Sequence, residues 1–182
     1  MKLRNQLFIL SLAVAGLFSA CKKDNSNSTL QVMLTDNPAA YQEVNIDLIG
    51  VSVKLSKDTA SWVELQPVPG VYNLLGLQNG VDTLIGSLTL PTEIVKEIRL
   101  VLGTNNTIKV NNITYPLTIP SGAESGLKIK VSKKLEATLE TLIIDFDAAL
   151  SIREDGPGDY KLLPVLKIKS KFENNLKKGV LI

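Results

Sequence analysis

Histidine is absent from this chain, and cysteine occurs once, as Cys21. Without histidine there is no Ser-His-Asp or Cys-His nucleophile, no imidazole ligand for zinc and none of the usual proton shuttles near neutral pH. One cysteine excludes an intrachain disulfide and a thiolate metal site. Aromatic residues make up only 5% of the chain, with a single tryptophan, Trp62. An excess of positive charge is missing too. Lys2 and Arg4 belong to an N-terminal leader, and without them the 20 basic residues fall level with the 18 acidic ones. A nucleic-acid partner normally demands a concentrated basic face, so none is expected.

The leader has three parts: a basic start at Lys2 and Arg4, an almost unbroken apolar run from Leu7 to Phe18, and small residues at Ser19 and Ala20. The run is shorter than the roughly 20 residues that a membrane helix needs, so it is the core of an export signal. Phe18 stands where ordinary secretory cleavage requires a small side chain, which argues against plain secretion. Leu17-Phe18-Ser19-Ala20-Cys21 instead resembles the lipobox of bacterial lipoproteins, with Cys21 as the lipidated new N-terminus. Several acyl chains, palmitate among them, would then hold the protein to a bilayer, each buried methylene adding ~0.8 kcal/mol. The expected organisation is a signal peptide over 1–20, a lipidated flexible tether over 21–29, one domain over 30–172 and a tail over 173–182.

From Leu30 the hydrophobic period is two. Leu30, Val32 and Leu34 alternate with polar neighbours, and Asp36-Asn37-Pro38 reads as a turn before Val44, Ile46 and Leu48. Gly50 shifts the phase as a bulge would, and Val51, Val53 and Leu55 continue the strand. Further strands are expected at Ser61–Leu65, Ile98–Leu102, Thr107–Val110, Thr114–Ile119, Leu127–Val131, Leu139–Ile152 and Tyr160–Phe172. Asn111-Asn112 suits a hairpin turn, and Val71–Val95 reads as strand and loop with a helical turn near Tyr72–Leu77 as the alternative. Short strands, frequent turns and no amphipathic helix predict an all-β fold: an antiparallel β-sandwich with Greek-key connections, immunoglobulin- or transthyretin-like, in a single domain.

A resemblance covers nearly all of the chain beyond the leader. Its pieces are Leu34-Thr35-Asp36 with Pro38 and Tyr41, Asn73-Leu74-Leu75 with Asn79-Gly80, and Ile98-Arg99-Leu100-Val101-Leu102. Ser121-Gly122 with Ser125-Gly126-Leu127-Lys128-Ile129, Asp145-Phe146-Asp147-Ala148, and Gly158 with Tyr160 and Pro164-Val165 complete the series. In this order they resemble the domain of unknown function 4382 family, found in exported and lipid-anchored proteins of Bacteroidetes and other microbes. The resemblance implies a β-sandwich in the cell envelope and supplies no activity or catalytic residues. Lys22-Lys23-Asp24 is similar to the charged signal that sends lipoproteins of that phylum to the outer face of the outer membrane, an orientation preferred here over the periplasmic one.

Asp145 and Asp147 are the most chemical-looking pair, since strand alternation puts both on one face. Two such carboxylates suit a hard cation such as calcium, or glycosidase-type acid–base work if they flank a cleft. The plainer reading is surface ion pairing with Lys128 and Lys130, or Lys167 and Lys169, on neighbouring strands. Asp155-Gly156-Pro157-Gly158-Asp159 lacks the spacing of a calcium loop and reads as a hairpin turn. For glycans the candidate stacking rings are Trp62, Tyr72, Tyr115 and Tyr160; a sandwich of this size usually takes a large aromatic into its core, which favours burial of Trp62. Asp58-Thr59-Ala60 and Asp82-Thr83-Leu84 resemble the short acceptor signal for O-glycans in exported Bacteroidetes proteins, with Thr59 and Thr83 as acceptors in loops. The apolar tip Val180-Leu181-Ile182 suits a docked tail or a strand shared between subunits.

Together these residues point to a non-catalytic envelope lipoprotein that captures a glycan or a protein, with no cofactor required. An assembly subunit akin to fimbrial lipoproteins is the alternative, and a carboxylate-based hydrolase stands behind both.

Overall fold

The computed structural model describes residues 26–120, 126–136 and 138–169. The leader, Cys21 and most of the tether, the loop with Ser121, Gly122 and Ser125, and everything beyond Lys169, Phe172 and the tail included, lie outside the described residues.

In chain order the strands are β1 (Asn27–Thr35), β2 (Glu43–Leu55), β3 (Val63–Glu64), β4 (Gln66–Pro67), β5 (Gly70–Asn73), β6 (Thr83–Pro91) and β7 (Ile94–Leu102). There follow β8 (Thr107–Val110), β9 (Ile113–Thr118), β10 (Leu127–Lys134), β11 (Leu139–Phe146), β12 (Ile152–Gly156), β13 (Asp159–Leu162) and β14 (Leu166–Lys169). A 3-10 turn at Leu74–Leu77 precedes β6, and one short helix, α1 (Ala148–Ser151), follows β11. Among the described residues, no helix is long and apolar enough to cross a membrane.

Two sheets pack face to face. One has the order β14-β11-β1-β6-β4; the other runs β10-β7-β2-β8-β9-β13-β12, with β3 and β5 also paired to β2. The all-β sandwich is therefore what forms, but its sheets are mixed and not purely antiparallel. β1 runs parallel to β11, with Leu30 beside Glu140 and Leu34 beside Ile144, and β13 runs parallel to β9. Alternation reports which face a residue takes and is blind to the direction of the neighbouring strand, which is why the parallel ladders escape a pattern reading.

The inward rows supply the core. Leu30, Val32, Leu34, Ile85, Ile144 and Phe146 of the first sheet meet Ile46, Leu48, Val51, Val53, Ile98 and Leu100 of the second, all fully buried. Each such side chain contributes ~1.5–3 kcal/mol of transfer free energy. Phe146 is the largest fully buried side chain and takes the aromatic place in the core that Trp62 was expected to fill. The ladder between β2 and β7 slips between Leu48 and Gly50, the bulge that the phase shift foretold. Asn111 and Asn112, at φ 51° and 62°, turn β8 into β9 in the left-handed conformation that such hairpins use.

Strand β1 starts at Asn27, so the expected tether to Thr29 is too long by three residues. Ser28 is polar but buried, paired opposite Leu90 in the β1–β6 ladder. The nine residues of β1 rise ~3.3 Å each and so carry the chain roughly 27 Å from its point of entry to the opposite end of the sandwich.

Candidate functional site

At the end of the sandwich remote from chain entry, Asp36, Asp145 and Asp147 converge. They are 2%, 1% and 5% exposed, so the carboxylates read as a surface pair are in fact buried. Their faces also differ from the expected ones: β11 ends at Phe146, and Asp147 turns the chain as N-cap of α1, its Oδ1 accepting the amide of Leu150 at 3.2 Å. The cue was present in the sequence, an aspartate followed by Ala148-Ala149-Leu150, all good helix formers.

Cross-strand lysines neutralise two of the three acids. Lys167 Nζ lies 3.0 Å from Asp147 Oδ2, and Lys169 Nζ lies 3.2 Å from Asp145 Oδ2. Asn37 Nδ2 donates to Asp145 Oδ2 at 2.8 Å and reaches Asp147 Oδ2 at 3.4 Å, while its Oδ1 accepts from Lys169. Asp36 has no lysine; its Oδ1 accepts the Ala148 amide at 2.9 Å, and its Oδ2 accepts from Gln78. Burial pushes the Asp36 carboxyl above its usual range, the Ala148 and Gln78 hydrogen bonds offsetting only part of the effect and the negative Asp145 adding to it. At Asp147 burial pulls the same way but is outweighed by Lys167, the Leu150 amide and Asn37, so its pKa falls below the ordinary value.

This arrangement resembles a staple more than a reaction centre. Ammonium groups already contact Asp147 Oδ2 and Asp145 Oδ2, and among the described residues no three acidic, histidine or cysteine side chains are grouped to hold a metal. Lys167 and Lys169 fulfil the ion-pair reading; Lys128 and Lys130 do not, because β10 belongs to the other sheet. Asp36, Asn37 and Gln78 were invisible as partners, since the first two read locally as a turn and Gln78 lies 42 residues from Asp36.

The four aromatic candidates are not gathered at one site. Tyr115 and Tyr160 share one cluster, ring centroids 5.3 Å apart, and both pack on the core. Gly158, at φ 79° in the β12–β13 turn, admits the Tyr115 ring, which a Cβ there would meet at 3.0 Å. The Asp155–Asp159 segment is this hairpin turn, and Asp155 pairs with Arg153 and Lys161. Tyr72 lies half-buried in β5, its hydroxyl donating to the Val68 carbonyl.

Trp62 differs. It precedes β3, neither inside a strand nor in the core, and lies half-buried over the outer face of the second sheet. The Arg99 guanidinium carbon is 4.6 Å and Lys54 Nζ 4.9 Å from its ring centre, cation–π distances. Beside them Lys128 stands directly opposite Arg99 in the β7–β10 ladder, two like charges in register. Lys128 and Lys130 have no ion-pair partner among the described residues, whereas Lys133 and Lys134 pair with Glu140 and Glu136. Thr59 is exposed in a bend where Asp58 accepts the amides of Ala60 and Ser61. Thr83 is not in a loop: it opens β6, half-buried and paired with Leu34.

On one flank the two sheets leave their edges open. β10 and β14 each have one described neighbour, β7 and β11, and between them runs a groove in two parts of about 510 and 250 Å³. Leu127, Ile129 and Val131 of β10 and Leu166 and Ile168 of β14 line it.

A family model described as a domain of unknown function (DUF4382) matches residues 27–164. No curated protein and no solved structure matches the chain.

Proposed function

The chain belongs to the DUF4382 family, and we propose that this member is a non-catalytic, lipid-anchored module of the cell envelope that binds an anionic glycan. The observation that carries the reading is the outer face of the second sheet, where the half-buried Trp62 ring meets Arg99 and Lys54 and Lys128 stands alongside. An aromatic face gives a sugar ring an apolar stacking surface, and adjacent guanidinium and ammonium groups answer a sugar carboxylate. Tyr72, Tyr115 and Tyr160 are committed to packing and take no part.

Several features support the rest of the proposal. Cys21 in its lipobox anchors the chain to the outer membrane, facing outward in preference to the periplasm, and the few residues before Asn27 make a short tether. A non-catalytic role fits Asp145 and Asp147, which are buried and ion-paired to Lys169 and Lys167, with Asp145 Oδ1 enclosed without a hydrogen-bond partner. Replacing Cys21 with alanine should abolish incorporation of labelled palmitate.

The deciding experiment is an array of acidic and neutral glycans probed with the purified protein, with and without calcium. We expect saturable, calcium-independent binding to uronic- or sialic-type acids, lost in Trp62→Ala and weakened in Arg99→Gln. A blank array, or binding indifferent to Trp62→Ala, would sink the proposal. The assembly-subunit reading keeps one observation of its own, the open strand edges of β10 and β14.

A further inference from the structure

We propose that the free edge of β10 is a second interaction surface, which takes up an extended segment of a partner protein in which apolar side chains alternate with carboxylates. The edge offers three things at once. Its backbone is unpaired on the side away from β7 among the described residues. Its inward side chains, Leu127 and Ile129, border the 510 Å³ groove that continues to Leu166 across the flank. Its outward side chains, Lys128 and Lys130, are exposed cations that close no ion pair among the described residues; Lys130 stands opposite Glu97 in the ladder, and Lys128 opposes Arg99 at the cost of like-charge repulsion.

A strand added beside β10 obeys the same alternation. Every second side chain falls into the groove, and the intervening ones stand next to Lys128 and Lys130 on the outer face. Carboxylates at those positions relieve the Arg99–Lys128 repulsion; lysines there would compound it. Edge lysines ordinarily deter pairing, and here they also select, since only a complementary strand gains what others lose.

Charge argues against two other occupants. A second copy would present its own Leu-Lys-Ile-Lys edge, at 127–130 or 166–169, lysine against lysine. The chain's own C-terminal segment, 170–182, carries Lys171, Lys177 and Lys178 against Glu173 alone. The β14 side of the groove adds no free charge, because Lys167 and Lys169 are taken by Asp147 and Asp145. Gly126 keeps the entrance to β10 tight: it sits at φ 89°, and a Cβ there would stand 2.7 Å from Arg99 Cγ.

The test uses the full-length chain in detergent and three fluorescent peptides of equal length: alternating valine–glutamate, alternating valine–lysine, and the first composition with its alternation scrambled. The alternating acidic peptide should bind alone of the three, more weakly as salt rises. Lys128→Gln with Lys130→Gln should weaken it about 3- to 10-fold, the worth of one or two exposed ion pairs. Hydrogen exchange should show new amide protection in Leu127–Lys134. No binding, equal binding of the lysine or scrambled peptide, or protection outside β10 would each overturn the proposal. So would binding that appears only when residues 170–182 are removed, which would assign the groove to the chain's own C-terminus. Lys128 borders both surfaces, but Trp62 touches none of the groove. Trp62→Ala should therefore abolish glycan binding and keep peptide binding, which tells the failure of one reading from the failure of the other.

Discussion

Asp36 Oδ1 accepts the amide of Ala148 at 2.9 Å, a bond that spans 112 positions of sequence. It joins the turn after β1 to the first turn of α1, and with the parallel β1–β11 ladder it holds two distant segments side by side. The Ala148 amide has no helical acceptor of its own, being at the start of α1. The Asp36 carboxylate is thus a cap delivered from elsewhere in the chain.

Removing that acceptor should be costly. Asp36→Ala leaves a buried N–H unsatisfied and is expected to lower stability by ~1–3 kcal/mol. Urea unfolding monitored by circular dichroism reads this as a fall in midpoint with an unchanged slope. A loss of under a few tenths of a kcal/mol would mean that water reaches the amide and the tie is ornamental.

Acid should act on the aspartates in a fixed order. Asp155, held by hydrogen bonds from Arg153 and Lys161, has its pKa lowered from 3.8 to about 2, and Asp147 is also lowered, while Asp36 is raised. A lowered carboxyl stabilises the fold above its unfolded pKa and loses that contribution as pH falls through the folded value. Asp36 has the opposite sign: it favours the fold when protonated, and the advantage disappears as pH rises through its folded value. Carboxyl NMR should find Asp36 protonating first on acidification and Asp155 last, and Arg153→Gln should move Asp155 back toward 3.8. Coincident titration of Asp36 and Asp155 would contradict the geometry.

Phe146 and Trp62 should separate cleanly on truncation. Phe146 is fully buried, and Trp62 lies half-buried outside the core. Phe146→Ala should cost ~3–5 kcal/mol, whereas Trp62→Ala, losing mainly its contacts with Arg99 and Lys54, should cost ~1 kcal/mol or less. Thermal unfolding of the two variants settles the contrast, and a larger loss at Trp62 would remove it from the list of ligand-facing residues.

Much of the fold could be read from residue order because its cues are local. The alternation of Leu30, Val32 and Leu34 named an inward face, Gly50 marked the β2 bulge, and Asn111-Asn112 marked a hairpin. The misreadings have two causes. Asp147 was assigned to a strand that had already ended at Phe146, and Thr83 to a loop that is the first residue of β6. At Asp147 the helix-forming residues that follow it end the strand, a local cue that the alternation masked, while at Thr83 pairing with Leu34 of β1 makes a strand of a turn-like segment.

The sequence by itself determined that this is an all-β member of its family without histidine or disulfide chemistry, because composition and hydrophobic period are properties of neighbouring residues. Only the tertiary structure decided that Asp36, Asp145 and Asp147 meet, that Lys167 and Lys169 neutralise two of them, and that β10 has a free edge among the described residues. Those outcomes depend on which strand lies beside which and in which direction. The alternating pattern of Leu-Lys-Ile-Lys is the same in β10 and β14, yet both lysines of β14 close ion pairs with buried carboxylates, whereas in β10 Lys128 faces Arg99 and Lys130 stands opposite Glu97 without closing an ion pair. Neighbours across a sheet are chosen by the burial of whole faces, and no single strand carries that information.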